Sequence, residues 1–340
     1  MLSHNYNLKV YITHFVPPKS SLGNLIYSFV KPRFSISYCR SWVRLLKHGT
    51  RGNQPWKKDV MTWSRKQDQI NRMVYLSRLL ESLGNLNTKS LTVNIFTNSN
   101  SAVQAISELG FQVNLKFHVY PQYNKMNQLN NSPWKENDPK SPWNLVWEHK
   151  KLLSVDYKKG NKNSLYLYIE NDLLFTQKNL EYWLEHKTKI NKFRLIPSFM
   201  LIEYSQKLNK RVPINLMTEG GIDTKSCPKI KENKDLYLQL PNPYTGLYLL
   251  DQQMLKVHLN SSAFLKYDSK KLTWWDLGAR AASGNQFIGV PKGFNSRNVI
   301  KLDSQTLIPA PGVLIHHMPN LYTKTLGLEA EDLDLDRVFY

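Results

Sequence analysis

The run Leu165-Tyr166-Leu167-Tyr168-Ile169-Glu170-Asn171-Asp172 sets five apolar and aromatic residues directly against two acids. The first five have the length and composition of a short buried strand. The charge that follows is in an unusual place, because a core strand rarely ends on two carboxylates. In an extended chain, residues two apart point to the same side, so Glu170 and Asp172 face each other's field. Two such carboxylates repel. A hard divalent cation with oxygen ligands relieves that repulsion and can also neutralise charge that develops on a phosphate leaving group. The plainer alternative is that Asp172 caps the next helix, predicted over 177–183, and that Glu170 forms a salt bridge.

Working outward, the sequence upstream alternates strand and helix. Residues 91–97 read as a strand, Val103, Ala105, Ile106 and Leu109 mark a helix closed by Gly110, and 113–120 read as a second strand. Residues 8–15 alternate apolar and polar and form the first strand, stopped by Pro17-Pro18. Ile70, Met73, Val74, Leu76, Leu79, Leu80 and Leu83 recur at helical spacing before Gly84. Residues 121–142 are polar and read as a loop, and 143–155 as a helix carrying Trp147, Glu148, His149 and Lys150. This alternation predicts an α/β fold with a mostly parallel central sheet flanked by helices. Ligands of such sheets bind beyond the carboxyl ends of the strands. No internal repeat and no Pro/Gly/Ser-rich linker divides the chain. It reads as a single domain over 1–340, with a basic helical insertion at about 20–85 and an acidic tail at 327–340.

The 340 residues are enough for a large buried core, and 41% of them are hydrophobic. No run of 18 apolar residues marks a membrane span, and the N-terminus lacks the basic and apolar regions of a signal peptide. With only two cysteines, Cys39 and Cys227, the chain has no disulfide framework, which fits a cytoplasmic protein, with membrane association left open. The formal charge of +20 favours anionic partners: nucleotide sugars, nucleic acid or an anionic membrane face. A compositional bias toward Lys is the plainer explanation. Residues 40–72 are dense in Lys and Arg and interleave Trp42, Trp56 and Trp63. That pattern belongs to single-stranded nucleic-acid surfaces and equally to a solvated helix with buried tryptophans.

The acidic triplet that closes a central strand resembles the D-x-D signature of GT-A glycosyltransferases, with Glu170 in place of the first Asp. The resemblance runs over roughly residues 8–322 in element order and implies a Rossmann-like GT-A fold. It implies a metal, Mn²⁺ or Mg²⁺, at Glu170 and Asp172, with a C-terminal histidine, His316 or His317, as a further ligand. It places Ile12, Thr13 and His14 at the base or ribose of a nucleoside-diphosphate sugar, and Asn171, His149 and Lys150 near the donor. Asn242-Pro243-Tyr244-Thr245-Gly246 leads into a strand that the resemblance puts near the acceptor, with Tyr244, Gly246, Trp274 and Trp275 as candidate acceptor contacts. Asp276 opens a short helix 104 residues beyond Asp172. In inverting members of the family a carboxylate in such a place takes the proton of the attacking hydroxyl, so Asp276 is the candidate base. Retaining members share the metal triplet. The implied acceptor is a glycan or a lipid-linked hydroxyl. The rival class is a basic nucleic-acid-binding protein built on residues 40–72. No P-loop, G-x-G-x-x-G, H-E-x-x-H or G-x-S-x-G motif competes.

Overall fold

The computed structural model describes residues 3–16, 65–124, 142–205, 209–214, 222–273, 275–320 and 339. Most of the basic segment, Cys39, Trp274 and the acidic tail lie outside these residues. Cys227 has no disulfide partner among the described residues.

The central sheet is α/β in the expected sense. Its parallel strands are β1 (Asn7–His14), β2 (Ser90–Thr97), β3 (Asn114–Val119) and β4 (Ser164–Glu170). The order is β3-β2-β1-β4, and a fifth strand closes the β4 edge in antiparallel sense. β1 and β4 are interior strands, and each buries both faces. Val10 and Ile12 of β1, with Leu167 and Ile169 of β4, pack into one apolar layer. Helices α1 (Arg65–Gly84) and α4 (Gln177–Ile190) cover that layer with Leu76, Leu80, Leu83, Leu180 and Trp183. On the other face Tyr11, Tyr166 and Tyr168 meet Leu153 of α3 (Glu148–Lys159) and Leu255 of α5 (Gln252–Leu259). Helix α2 (Asn100–Glu108) joins β2 to β3, with Ser99 as its N-cap.

Two smaller sheets complete the fold. One has the order β6 (Ile196–Pro197), β12 (Asn298–Asp303), β10 (Asp235–Leu238), β9 (Lys229–Glu232). The other runs β5 (Leu173–Leu174), β13 (Leu314–His317), β7 (Met200–Ser205), β8 (Lys210–Pro213). The antiparallel edge strand of the central sheet is β11 (Leu247–Asp251), and α6 (Leu277–Ala281) is a short helix behind it in sequence. Neither small sheet was expected. A two-residue strand such as β5 or β6 is too short to show alternation, so periodicity does not reveal it. Among the described residues no helix is long and apolar enough to cross a membrane.

Among the described residues the interior holds four imidazoles in neutral form. Burial pushes His14 and His186 down to about 4, and pushes His149 and His258 well below their ordinary value. An unfolded histidine titrates near 6.5. Between pH 6.5 and 4 the unfolded chain therefore binds more protons than the folded one. Stability from these groups is complete above pH 6.5 and is lost as pH falls toward 4. The thermal midpoint is expected to drop steadily over that window. His186→Gln keeps a polar group for the Tyr237 hydroxyl, 2.7 Å from Nδ1, and should reduce the acid slope by up to about 1.4 kcal/mol per pH unit. An unchanged slope in that variant would show that His186 already carries its proton in the folded state.

Candidate active site

The parallel strands end together. Thr13 lies opposite Glu170, and His14 opposite Thr97, so the last residues of β1, β2 and β4 form one rim. Glu170 is the final residue of β4. After two intervening residues β5 begins and pairs antiparallel with β13, with Leu173 opposite His317. The Met318 amide adds a hydrogen bond to the Asp172 carbonyl at 2.9 Å. This short ladder brings the C-terminal histidine to the acids.

His317 sits between two carboxylates. Its Nδ1 is 2.6 Å from Oε1 of Glu203, a fully buried residue of β7. Its Nε2 stands 3.6 Å from Asp172 Oδ2. Burial alone would push His317 down, but hydrogen bonds and charges from Asp172 and Glu203 outweigh it and raise it to about 10. Burial likewise raises the Asp172 carboxyl, yet His317, with the Arg72 charge behind it, holds it below its ordinary value. Asp172 Oδ1 is buried and has no hydrogen-bond partner among the described residues.

Glu170 behaves oppositely. Burial, and then the Asp172 charge, push it up to about 8, against a hydrogen bond from Tyr244. The Tyr244 hydroxyl donates to Glu170 Oε1 at 2.5 Å. Gly246 explains how the side chain fits. Its φ is +65°, and a Cβ there would stand 2.7 Å from Glu170 Oε2. The close approach that Gly246 permits is that of Glu170, whose amide also bonds the Gly246 carbonyl at 3.0 Å.

Beyond Tyr244 the site continues to Asp276. Trp275 meets the Tyr244 ring edge-on at 5.3 Å between centroids. Asp276 caps α6 through Oδ1, which accepts the Ala279 amide at 2.8 Å. Its charge is close enough to raise both Glu170 and Tyr244. On the opposite side, Asn171 Nδ2 donates to His14 Nδ1 at 2.9 Å. His14 then opens onto a cleft of about 170 Å³ between α1 and α2, lined by Arg72, Met73, Ser101 and Ala102 among others.

Glu170, Asn171, Asp172, His317, His14, Tyr244, Gly246, Trp275 and Asp276 thus gather at one rim. Other sequence candidates fall elsewhere. Ile12 is wholly buried in the core, where β1 alternation must put it. Thr13 is the exception: it pairs with Glu170 and shares its face of the sheet, opposite the His14 cleft. His316 points away from Asp172 and lies 3.3 Å from Asn320 Oδ1. His149 and Lys150 are buried inside the α3 layer. His149 Nε2 is 2.7 Å from the Tyr248 hydroxyl, and Lys150 Nζ is 2.6 Å from His258 Nε2. Trp274 lies outside the described residues. The capping alternative for Asp172 also fails, because Thr176 and Asn179 cap α4.

Sequence reasoning missed Glu203 and Arg72. Glu203 did leave a signal, as the one acid that follows Phe199-Met200-Leu201-Ile202 in a run otherwise fit for a core strand.

The residues present suit a divalent cation only in part. Among the described residues no three His, Cys, Asp or Glu side chains gather in ligand geometry. Asp172, with its orphaned oxygen, and His317, oriented by Glu203 through the other ring nitrogen, have the chemistry of a two-residue set with a supporting carboxylate.

No protein-family model and no curated protein matches the chain. Three solved structures show a distant likeness. One is residues 1–349 of S. aureus TarS in complex with UDP-GlcNAc, 11% identical over 74% of this chain, TM-score 0.30. This chain spans just under half of that one, 46%. A CMP:2-keto-3-deoxy-manno-octonic acid synthetase complexed with CTP is 12% identical over 78% of this chain and 83% of its own, TM-score 0.30. The inositol-1-phosphate CTP transferase from T. maritima is 8% identical over 96% and 98%, TM-score 0.31. At such scores the reading of the site rests on its own geometry.

Two substitutions probe that geometry. Gly246→Ala forces a side chain into a left-handed backbone and against Glu170. It should destabilise by about 1–3 kcal/mol in urea unfolding. Glu203→Ala leaves the His317 imidazolium short of one buried partner and should cost about 3 kcal/mol, with Glu203→Gln costing less. Equal losses for the two Glu203 variants would remove the charge pairing from this account.

Proposed function

We propose that this chain is a metal-dependent glycosyltransferase that moves a sugar from a nucleoside-diphosphate donor to a hydroxyl acceptor. The observation that supports it is the meeting of Asp172, His317 and Asp276 at the carboxyl ends of parallel strands, beside the His14–Arg72 cleft. Asp172 and, once the cation displaces its Nε2 proton, His317 would hold Mn²⁺ or Mg²⁺, with diphosphate oxygens and water making up the ligand number. A carboxylate with an imidazole favours manganese. When bound, the cation neutralises charge on the departing nucleoside diphosphate.

The chain's own groups divide the remaining work. His14, fixed by Asn171, and Arg72 line the cleft for the nucleotide. Glu170, pushed up to about 8, keeps its proton at neutral pH and holds Tyr244 against the rim. Trp275 and Tyr244 offer aromatic surface to a sugar ring. Asp276 accepts the acceptor hydroxyl proton as the oxygen attacks the anomeric carbon. A single base and direct attack give inversion of configuration.

The test is thermal unfolding against a panel of nucleoside diphosphates, each with and without Mn²⁺. One nucleotide should raise the midpoint by a few degrees with metal present, since saturation at a hundred times Kd adds about 2.7 kcal/mol. Asp172→Asn should abolish that shift. Asp276→Asn should keep it while losing slow hydrolysis of the matching sugar nucleotide. A shift of equal size without metal, or no shift with any nucleotide, would defeat the proposal.

A further inference from the structure

Helices α3 and α5 lie side by side and antiparallel on one face of the central sheet. Two contacts at opposite ends fix this. Lys150 Nζ is 2.6 Å from His258 Nε2, and Gln252 Nε2 donates to the Tyr157 carbonyl at 2.9 Å. Both helices bury one edge against the tyrosine layer, through Leu153 and Leu255. The outward edges are what a soluble core has no use for. Val155 of α3 is 46% exposed and Val257 of α5 is 43% exposed.

The segment after α5 extends this face. Phe264 packs edge-on against His258, with ring centroids 5.8 Å apart, and the Lys266 ammonium reaches Asn144 just before α3. Here Leu265 is 52% exposed and Tyr267 is 62% exposed. Single exposed apolar residues are ordinary. Four on adjoining elements, with a tyrosine among them, are not.

The exposed charge around them is mostly positive, and the one acid beside Tyr267, Asp268, is bridged by Lys271 at 2.9 Å. Lys158 and Lys159 at the end of α3, and Lys256 on α5, are exposed and have no carboxylate partner among the described residues. The acids of the same helices are turned inward. Glu148 is buried and hydrogen-bonded by Tyr123, Asp156 holds Lys9 and Tyr11, and Asp251 pairs with Lys187.

We propose that this face, α3, α5 and the segment through Tyr267, docks on an anionic lipid bilayer. Lysines attract acidic headgroups through the surface potential, and aliphatic and tyrosine side chains enter the headgroup–acyl boundary. The pattern favours lipid over nucleic acid. Valine and leucine have no partner on a phosphodiester backbone, and the exposed cations here are lysines, without the arginines that read bases. The inference does not depend on the reaction at the rim.

The experiment is sedimentation of the full chain with vesicles of phosphatidylcholine, with and without phosphatidylglycerol, at low and physiological salt. Binding is expected only with phosphatidylglycerol and should weaken as salt rises. Leu265→Ser with Tyr267→Ser, and separately Lys158→Glu with Lys256→Glu, should each lower partitioning roughly tenfold or more, with the thermal midpoint unchanged. Lys231→Glu with Lys234→Glu changes net charge equally on the β9–β10 hairpin and should leave partitioning within about twofold of the parent. No binding to acidic vesicles, equal loss in both lysine pairs, or insensitivity to the Leu265/Tyr267 change would overturn the proposal. So would single-stranded polynucleotide binding that depends on the same lysines and is blind to the apolar pair.

Discussion

The structure turns on how it carries negative charge at the end of its central strand. Glu170, Asp172 and Glu203 are brought to one rim by β4, β5 and β7, and three carboxylates at close quarters are not tolerable in a poorly solvated place. Two devices resolve this. His317 stands between Asp172 and Glu203 and stays charged, while Glu170 keeps its proton against Tyr244. The first device requires β13 to be seated on β5, and the second requires a glycine at 246. The third sheet, the rim and the Tyr244 turn are therefore joined by one electrostatic demand. Apolar residues of the same volume would hold these elements together as well or better. The presence of charge in their place is the strongest indication that the rim acts on a ligand.

A second polar network lies behind the rim. His149 stacks on Tyr168 at 4.2 Å between centroids and bonds Tyr248, whose ring lies 4.9 Å from the Lys150 ammonium nitrogen. Burial pushes Lys150 well below its ordinary value. This network faces inward, but it has a bearing on Asp276. Trp147, next to it in sequence, donates its ring N–H to the Leu277 carbonyl at 3.0 Å. Leu277 is the first residue of α6, so the helix that Asp276 caps is fastened to the start of α3. Trp147, close in sequence to the His149 and Lys150 that sequence analysis set beside the donor, thus bears on the opposite side of the site through the first residue of α6.

How much of this the sequence shows depends on the length scale of each element. β1, β2, β4 and α1 carry full periods of alternation or helical spacing, and their bounds agree with the pattern to within a residue or two. The acid pair is legible because charge at the end of a buried strand violates the pattern. Asp276 is legible as a helix cap, since Asp before Leu-Gly-Ala-Arg-Ala is an N-terminal signal. The two small sheets are not, because β5 and β6 have two residues each and draw their identity from partners more than a hundred positions away. The same reason hides the choice between His316 and His317. Adjacent strand residues face opposite ways, and only the pairing of β13 with β5 decides which one meets Asp172. The buried state of His149 and Lys150 is equally hidden, because a helix face rich in polar residues reads as solvated until the layer of tyrosines beneath it is known.

The rim and the proposed docking face are mechanically close. Arg280 of α6 is buried, and its Nη1 donates to the Lys266 carbonyl at 3.2 Å and to the Ser269 hydroxyl at 3.1 Å. The segment that exposes Leu265 and Tyr267 is thus pinned to the helix that Asp276 caps. A surface that enters the headgroup layer through those side chains would set the height of Asp276 relative to the bilayer. An acceptor hydroxyl attached to a lipid is confined to that same layer, where its search is two-dimensional and its orientation is partly fixed. Of the two acceptor classes that the sequence leaves open, a glycan in solution gains nothing from this linkage, whereas a lipid-linked hydroxyl gains proximity. On the proposed membrane docking, the place of α6 between the rim and that face would favour the lipid-linked acceptor.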